Sequence, residues 1–306
     1  MKKNRKVSVP RGSQIKMSRE EKLYQACIAI VVGFVTVACI LPLLYVVGMS
    51  LTSEGEMIEK NFFVIIPEHP TLAAYKNLFS SANFFDGMKI TILRTFIGIF
   101  SALVLTVPVG YILAIRELPF KNPILLYFIT TMLIGGGTIP SYLLYRDLHL
   151  LNSFWVYIAP SLANTHGILV VKLFVEGIPT DLMESADLDG ASELQKMWHL
   201  GIPLLRPTIL ALGLFAAVAH WNSWMDAMIY APMNTKIWPI QYIIRNMMLA
   251  ASTSMDNGIP ISSFMKMTPE GFKMAGVLVA VLPILCVYPF LQKYFVKGMF
   301  TGSVKG

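Results

Sequence analysis

The sequence predicts an all-α integral membrane protein with six transmembrane helices. Hydrophobic residues make up 55% of the 306 positions and charged residues only 14%, which is too few charged side chains for a water-soluble domain of this size. Apolar runs also recur at about the 20-residue length that a helix needs to cross the hydrocarbon core of a bilayer. The six runs lie at residues 26–48, 90–115, 123–145, 154–175, 208–231 and 274–296.

A basic segment precedes the first run. Eight of the 25 Lys and Arg residues fall within the first 22 positions, and Ser18 and Glu21 are spaced as a helix capping box. A cleaved signal peptide is the alternative for residues 1–50, but this run is longer than a signal-peptide core and no obvious small-residue cleavage site follows it. We therefore predict a basic tail at residues 1–25, one transmembrane domain at 26–297 and a C-terminal tail at 298–306.

The third run contains a break. Gly135, Gly136, Gly137 and Pro140 interrupt it, and lipid cannot satisfy the backbone groups that such a break releases. One interpretation is a broken helix that faces protein or a water-filled pathway. The other is a helix that ends at Ile134, followed by an external loop.

The distribution of Lys and Arg predicts the orientation of the chain. With six crossings, basic residues concentrate on the side that carries both termini, which the positive-inside rule places in the cytoplasm together with residues 176–206. The two sizeable outer loops are then residues 50–89 and 232–273. The second outer loop carries an apolar stripe after Pro239 that predicts a helix lying on the membrane surface or docking a partner. Its members are Trp238, Ile240, Ile243, Ile244, Met247 and Met248.

Several kinds of chemistry have no support in the sequence. No G-x-x-x-x-G-K-[ST] phosphate loop is present, so the chain is predicted not to hydrolyse ATP and not to be an enzyme. The five His residues are scattered and the three Cys residues fall inside apolar runs, which predicts no metal site, no cofactor and no redox chemistry. The basic clustering fits membrane topology better than nucleic acid binding.

Residues 176–206 form a polar interval between the fourth and fifth runs. A short helix is predicted to begin at Thr180, to stop at Gly190 after about two turns, and to be followed by a second short helix capped by Ser192. Two prolines, Pro203 and Pro207, are expected to close the interval. The predicted shape is a helix, a glycine corner and a second helix.

The residues of this interval resemble a known signature. The chain reads Glu184-Ser185-Ala186, three residues, Gly190, nine residues and then Leu200-Gly201-Ile202-Pro203. This resembles the EAA signature of ABC importer permeases, whose pattern is Glu-Ala-Ala, three residues, Gly, nine residues and Ile-x-Leu-Pro. The departures are Ser185, Leu200 and Ile202, and all three are mild. The run Asp189-Gly190-Ala191-Ser192, with Pro207 beyond it, is similar to the carbohydrate-uptake branch, the group of the maltose-transporter inner-membrane subunits.

Three further stretches are similar to the same branch, so the resemblance extends from about residue 25 to the end. They are His69-Pro70-Thr71-Leu72 with Tyr75 and Phe79, Trp221-Asn222-Ser223-Trp224 with Tyr230, and Tyr288 to Phe295 with Gly298, Gly302, Lys305 and Gly306.

The resemblance implies the fold of an ABC type I importer permease in a bacterial plasma membrane. The EAA loop would be a cytoplasmic coupling helix in a groove of a separate ATPase subunit, which binds ATP and Mg²⁺. Glu184 would be the ionic anchor, and Leu182, Met183, Ala186 and Leu188 the apolar contacts; the alternative is an interfacial loop that touches only lipid headgroups. The other implied partners are a second homologous permease and an extracytoplasmic solute-binding protein. The coupling residues would be Glu184, Ser185, Ala186, Asp189, Gly190, Ala191 and Pro203.

The fifth run supplies the candidates for a substrate path, namely Trp221, Asn222, Trp224 and Asp226. A carboxylate at membrane depth is costly unless it is paired or faces water. Aromatic faces beside amide and carboxylate acceptors suit sugar rings, whereas an outer aromatic belt with a polar helix interface is the alternative. The predicted function is import of a sugar or oligosaccharide. A permease for peptides or amino acids, an ion-coupled secondary transporter and a membrane scaffold remain open.

Overall fold

A computed structural model describes residues 18–80, 82–256 and 269–302 of the chain, and within these ranges the chain is helical with no strand. The predicted N-terminal tail lies outside the described residues up to position 17, as do residues 303–306. The α-helices are α1 Arg19–Leu51, α2 Glu54–Glu59, α3 Ala73–Ser80, α4 Ala82–Ala114, α5 Lys121–Leu133, α6 Thr138–Asp147, α7 Thr165–Glu176, α8 Thr180–Leu188, α9 Glu193–Lys196, α10 Ile202–Leu204, α11 Arg206–Asn222, α12 Met225–Tyr230, α13 Ile240–Asp256 and α14 Pro269–Gly302. Short 3₁₀ turns occupy Phe154–Tyr157, Ala159–Ser161 and Thr235–Ile237, and one π turn occupies Met197–Gly201.

The first helix begins where its capping residues place it. The Ser18 hydroxyl accepts a hydrogen bond from the Glu21 N–H at 3.1 Å, and the Glu21 carboxylate accepts one from the Ser18 N–H at 2.8 Å. This confirms the capping box, and it starts α1 at Arg19 rather than at residue 26. The last part of the predicted tail is therefore helical, as are residues 298–302 at the end of α14.

The described residues contain three to five candidate membrane spans. Three segments are long and apolar enough to cross alone, namely Arg19–Leu51, Asn83–Ala114 and Phe154–Glu176. Two bent pairs bring the number to five if each pair forms one span. The sixth predicted crossing, residues 274–296, lies within α14, and the side chains of its last part fall outside the described set.

The third predicted run is a bent pair and not one straight helix. α5 ends at Leu133, and α6 leaves at 113° to it. The turn is possible because Gly137 adopts a φ of +84° at the start of α6, a conformation that glycine reaches without steric cost. The helix does end next to Ile134, as the second interpretation expected. The residues after the break form another helix, as the first interpretation, a broken helix, expected.

α4 is the central helix of the described bundle, because it packs along α7 and α11 and also contacts α13. One apolar cluster near its start includes Leu78, Phe84, Ile240, Ile244, Phe272 and Ala280. Another near its end includes Tyr111, Ala114, Val171, Val175, Met197 and Leu205. These clusters hold the loops at both ends of the bundle against α4.

The predicted apolar stripe of the second outer loop belongs to this core. Ile240, Ile243 and Ile244 on α13 are buried, and α13 packs against α4 and α14. The N–H of Ile240 donates to the Thr91 hydroxyl at 2.8 Å, which anchors the start of α13 on α4. The prediction of a surface-lying or partner-docking helix is therefore wrong for this stripe, because its apolar face is already covered by the chain itself.

Candidate functional site

The polar interval forms a helix, a glycine corner and a second helix, as its residue pattern predicts. Beyond the end of α8, the Gly190 N–H donates to the Asp187 carbonyl at 3.0 Å and the Ala191 N–H donates to the Ala186 carbonyl at 2.9 Å. This pair of bonds is a Schellman motif, which needs a residue in the left-handed region at its turn. Gly190 supplies it with a φ of +74°.

The chain leaves the corner through a second capping box. The Ser192 hydroxyl accepts from the Gln195 N–H at 3.4 Å, and the Gln195 side chain accepts from the Ser192 N–H at 2.8 Å. The helical path then continues through the π turn and α10, so Pro203 lies inside a short helix rather than ending one. Pro207 occupies the first turn of α11, where its missing N–H costs nothing.

The α8 side chains divide between the bundle and the solvent. Met183 packs against the apolar cluster of Tyr111 and Val171, while Glu184 and Leu182 are exposed and Leu188 is 90% exposed. Of the predicted partner contacts, Met183 is therefore turned toward the chain's own core. Among the residues that the structure describes, none forms an ion pair with Glu184. The other predicted coupling residues with at least part of their surface exposed are Ser185, Ala186, Asp189, Gly190, Ala191 and Pro203.

Lys196 is a buried residue of this interval for which the sequence predicted no structural role. Its side chain is 7% exposed, and its ammonium group pairs with the Asp187 carboxylate at 2.5 Å and with the Glu193 carboxylate. The Tyr111 hydroxyl of α4 donates to the same Glu193 at 3.5 Å. Lysine with nearby acids is common on helix surfaces, so the spacing alone did not distinguish this buried arrangement.

A cavity of about 360 Å³ lies between the interval and the end of α4. Charged and polar side chains contribute much of its wall, including Tyr111, Arg116, Glu184, Asp187, Glu193 and Lys196. No group of three or more metal-ligating side chains occurs in the described part of the chain.

The predicted substrate-path residues surround a break in the fifth run. α11 ends at Asn222 and α12 begins at Met225, so the run is not one continuous helix. The Trp221 indole N–H donates to the Ala280 carbonyl of α14 at 2.9 Å, and the Arg245 guanidinium lies 3.7 Å from the Trp224 ring centroid. Asn222 is exposed and donates to the Val218 carbonyl at 3.0 Å.

Asp226 has a partner that the sequence did not identify. The Arg94 guanidinium of α4 pairs with both carboxylate oxygens of Asp226, with Nη1 to Oδ1 at 3.3 Å. Arg94 also lies 4.5 Å from the Tyr157 ring centroid and donates to the Ser223 carbonyl at 3.5 Å. The requirement that an acid at this depth be paired is thus met inside the chain. One feature of the sequence could have indicated this pair. Arg94 lies in the second apolar run, and a cation buried in such a run also needs an acidic partner.

The loop after α1, which the sequence predicts to be external, is organised by a buried carboxylate. Glu56 accepts hydrogen bonds from the N–H groups of Glu68 at 2.8 Å and His69 at 3.1 Å, and from the Lys60 ammonium at 3.0 Å. These donors, the Glu68 N–H first, lower the pKa of Glu56 to about 2 against the opposing effect of burial. Hydrogen bonds to Glu68 and Glu56 raise the pKa of Lys60. The segment around His69 that carries part of the family resemblance is therefore tied to α2.

Comparison with known proteins decides the family. The model of the "Binding-protein-dependent transport system inner membrane component" family matches residues 91–301. The chain belongs to this family. Membership makes it a multi-pass membrane component of a transport system, and it speaks against an ion-coupled secondary transporter or a structural scaffold.

Relatives match over nearly the whole chain. Protein LplC of Bacillus subtilis (strain 168) is 38% identical over 286 residues, which cover 93% of this chain and 96% of that protein. The polygalacturonan/rhamnogalacturonan transport system permease protein YtcP of the same organism is 35% identical over 268 residues, covering 88% and 93%. A solved structure titled as a bacterial ABC transporter involved in the import of the acidic polysaccharide alginate matches with a TM-score of 0.80 at 25% identity, covering 91% of this chain and 99% of that one.

Proposed function

We propose that the chain is the membrane-spanning permease subunit of an ABC importer that carries a sugar or oligosaccharide into the cell. The observation that carries this proposal is the corner at Gly190, which presents an exposed α8 with Glu184 and Leu188 in a member of the transport family. Glu184, Leu182 and Leu188 are all exposed on this short helix, so α8 offers a charge together with apolar side chains to a groove on another protein. We therefore assign α8 as the cytoplasmic coupling helix.

Energy enters through the partner and not through this chain. The chain has no phosphate-binding loop in its sequence, so ATP and Mg²⁺ belong to a separate ATPase subunit. Closure of the ATPase subunits would move α8 as a rigid body, and that displacement would alternate access across the membrane. We propose six crossings with both termini in the cytoplasm, an arrangement in which α8 lies on the side where ATP is available.

The remaining partners follow from the same architecture. A second, homologous permease completes the pathway, and an extracytoplasmic binding protein delivers the solute to the outer loops. The Glu56 network and the packed α13 give these loops a fixed shape for such docking, although most of the α13 stripe is itself unavailable to a partner. The bacterial plasma membrane is the proposed location.

The names of the relatives support a saccharide as the solute, since they include a polygalacturonan/rhamnogalacturonan permease and arabinooligosaccharide permeases. The basic residues near the broken fifth run do not add a preference for acidic sugars. The Arg94 guanidinium is engaged by Asp226, so it is not free to bind a solute carboxylate in this structure, and Arg245 alone, which stacks on Trp224, does not establish an acidic solute.

Uptake by cells that lack the gene for this chain tests the proposal. The probes are radiolabelled trigalacturonate, a neutral galacto-oligosaccharide and a tripeptide, each measured with and without the wild-type gene. We expect the wild-type chain to restore saccharide uptake and Glu184→Ala to reduce it roughly tenfold or more, with weaker co-purification of the ATPase. Asp181→Asn is the matched control, because it removes an exposed acid from the same helix.

If the wild-type chain restored uptake of the tripeptide and of neither saccharide, the chain would be a peptide permease and the saccharide assignment would be wrong. Full saccharide uptake and full ATPase co-purification by the Glu184→Ala chain would remove α8 from the coupling role.

A further inference from the structure

The corner of the polar interval is bridged by a buried lysine. Lys196 lies nine positions after Asp187, on the far side of Gly190, and its ammonium group pairs with the Asp187 carboxylate at 2.5 Å. It also pairs with Glu193, three positions earlier on its own helix. The Lys196 side chain is only 7% exposed, so its ammonium group has lost much of its hydration, and the two more exposed carboxylates compensate for that loss. The pairing with Asp187 therefore fixes α9 against the last turn of α8.

Side-chain packing alone does not fix the orientation of α8. The cavity of about 360 Å³ separates the corner from the end of α4, and Lys196, Asp187 and Glu193 form part of its wall. Met183 anchors one side of α8 on the core, and the Schellman bonds fix only the local exit from the helix. The pocket is open to solvent on one side, so this face of α8 has few packed neighbours, and a specific contact is needed to fix the orientation of the helix there.

The residues after Lys196 connect it to the bundle. Met197 is buried in the cluster that includes Tyr111, Val171 and Leu205. Tyr111 also hydrogen-bonds Glu193 and lies against Gly201, where an added Cβ would meet its ring at 2.9 Å. A continuous contact chain thus runs from α8 through Asp187 and Lys196 to α4 and to the start of α11.

We infer that Lys196 is a positioning residue that holds α8 at a fixed angle to α11, so that a displacement of α8 is transmitted to the membrane helices. The inference rests on the proposed function, because it gives α8 the role of receiving the motion of the ATPase. It adds that transmission depends on an ion pair across the glycine corner, formed by two residues at positions that the signature leaves open: Asp187 is one of the three residues before Gly190, and Lys196 is one of the nine after it. A substitution that weakens such a network should change the equilibrium between arrangements of α8 relative to α11, and this change can be measured.

The first test measures the angle directly on the purified full-length chain in detergent. Spin labels on Leu188→Cys in α8 and Leu210→Cys in α11 use two exposed positions, in a background where Cys27, Cys39 and Cys286 are replaced by Ser. We expect a narrow distance distribution for the parent chain and a distribution about twice as broad for Lys196→Gln. Lys196→Arg should restore the narrow distribution, because a guanidinium retains both ion pairs.

Two comparisons separate the bridge from a general loss of charge. Asp187→Asn should broaden the distribution as much as Lys196→Gln, whereas Glu193→Gln should broaden it less, because the Glu193–Lys196 pair lies within one helix and does not span the corner. Lys172→Gln is the matched control, since Lys172 is a 14% exposed lysine whose 2.7 Å pair with Glu176 lies within α7 and does not span the glycine corner. It should leave the distribution unchanged.

The second test uses the complete importer in cells. Lys196→Gln should reduce uptake of the probe that the wild-type chain restores by about tenfold, while the ATPase still co-purifies and still hydrolyses MgATP. An unchanged distance distribution in Lys196→Gln overturns the bridge, and a broadened distribution with normal uptake overturns its role in transmission. If the wild-type chain restores uptake of no probe, the proposed function fails, and the spin-label distances still test the bridge.

Discussion

Arg94 and Asp226 form an ion pair that joins the central helix α4 to α12, the short helix after the break in the fifth run. The Arg94 side chain is 1% exposed and the Asp226 side chain 21% exposed. The Asp226 carboxylate also accepts from the Ala227 N–H at 2.8 Å, so a backbone donor in the first turn of α12 holds it while it neutralises Arg94. This pair fixes the position of the break relative to the helix around which the bundle packs.

Loss of one partner is expected to destabilise the fold strongly. Asp226→Asn leaves the buried Arg94 charge uncompensated, which typically costs about 3–5 kcal/mol. Thermal unfolding of the purified chain in detergent should show a large decrease in Tm. An unchanged Tm would mean that water hydrates Arg94 in the variant or that another acid forms a new ion pair with it.

Two further variants test the origin of that cost. The double substitution Arg94→Met with Asp226→Leu should recover much of the stability, because replacing both members of a buried pair with apolar residues is often neutral. Lys89→Gln should have almost no effect, since its pair with Asp86 is exposed on both sides and exposed pairs contribute about 0–1 kcal/mol.

Gly190→Ala should weaken the corner by about 1–2 kcal/mol. No atom lies within 4 Å of an added Cβ at this position, so the cost comes only from the φ of +74°. Gly190→Asn should cost less, because asparagine tolerates the left-handed region. Uptake should fall in the order glycine, asparagine, alanine.

The control for this series is Gly55→Ala in α2, which also has open space around an added Cβ but no left-handed backbone. It should leave stability and uptake unchanged. Equal uptake by the Gly190→Ala and wild-type chains would show that the corner relaxes without consequence.

Glu56 is expected to make the outer loop sensitive to acid. Its pKa is about 2 in the folded chain against an ordinary value of 4.5, so the folded state favours the carboxylate. The resulting stabilisation is fully present above about pH 4.5 and is lost progressively as the pH falls toward 2. Glu56→Ala should therefore melt at a lower temperature than wild type near pH 7, with the difference shrinking between pH 4.5 and 2.

Glu59→Ala provides the comparison, because Glu59 is an exposed acid on the same short helix. Its melting temperature should follow that of the wild-type chain across the whole pH range. A constant difference between Glu56→Ala and wild type down to pH 2 would contradict the assigned role of the Glu56 carboxylate.

Local signals in the sequence predicted the local structure well. Ser18, Ser192 and Gly190 each specify a cap through bonds to residues at most five positions away, so spacing alone was sufficient. Gly137 likewise marked the break between α5 and α6. The family resemblance of the polar interval also depended on the spacing of residues close together in the sequence, from Glu184 to Pro203.

Long-range contacts could not be predicted in the same way. Arg94 and Asp226 are 132 positions apart, and a single sequence contains no measure of which distant helices face each other. The stripe of Ile240 and Ile244 has the same periodicity whether it faces lipid, a partner or the core. Its burial against α4 and α14 is therefore a property of the packed bundle.

Asn222 and Trp221 should separate transport from stability at the break in the fifth run. Asn222 is exposed, and among the residues that the structure describes its amide donates to the Val218 carbonyl of its own helix. Asn222→Ala should therefore leave the free energy of unfolding within about 0.5 kcal/mol of wild type. It should change the rate or selectivity of saccharide uptake, because the sequence predicts that this amide lines the solute path. Trp221→Phe removes the hydrogen bond to the Ala280 carbonyl, which should destabilise the chain by about 1 kcal/mol with selectivity unchanged.

The measurement is uptake of trigalacturonate and of a neutral galacto-oligosaccharide at several concentrations, beside thermal unfolding of each variant. Unchanged uptake kinetics in Asn222→Ala would exclude this amide from the solute path. Altered selectivity in Trp221→Phe would instead place the solute at the contact between α11 and α14.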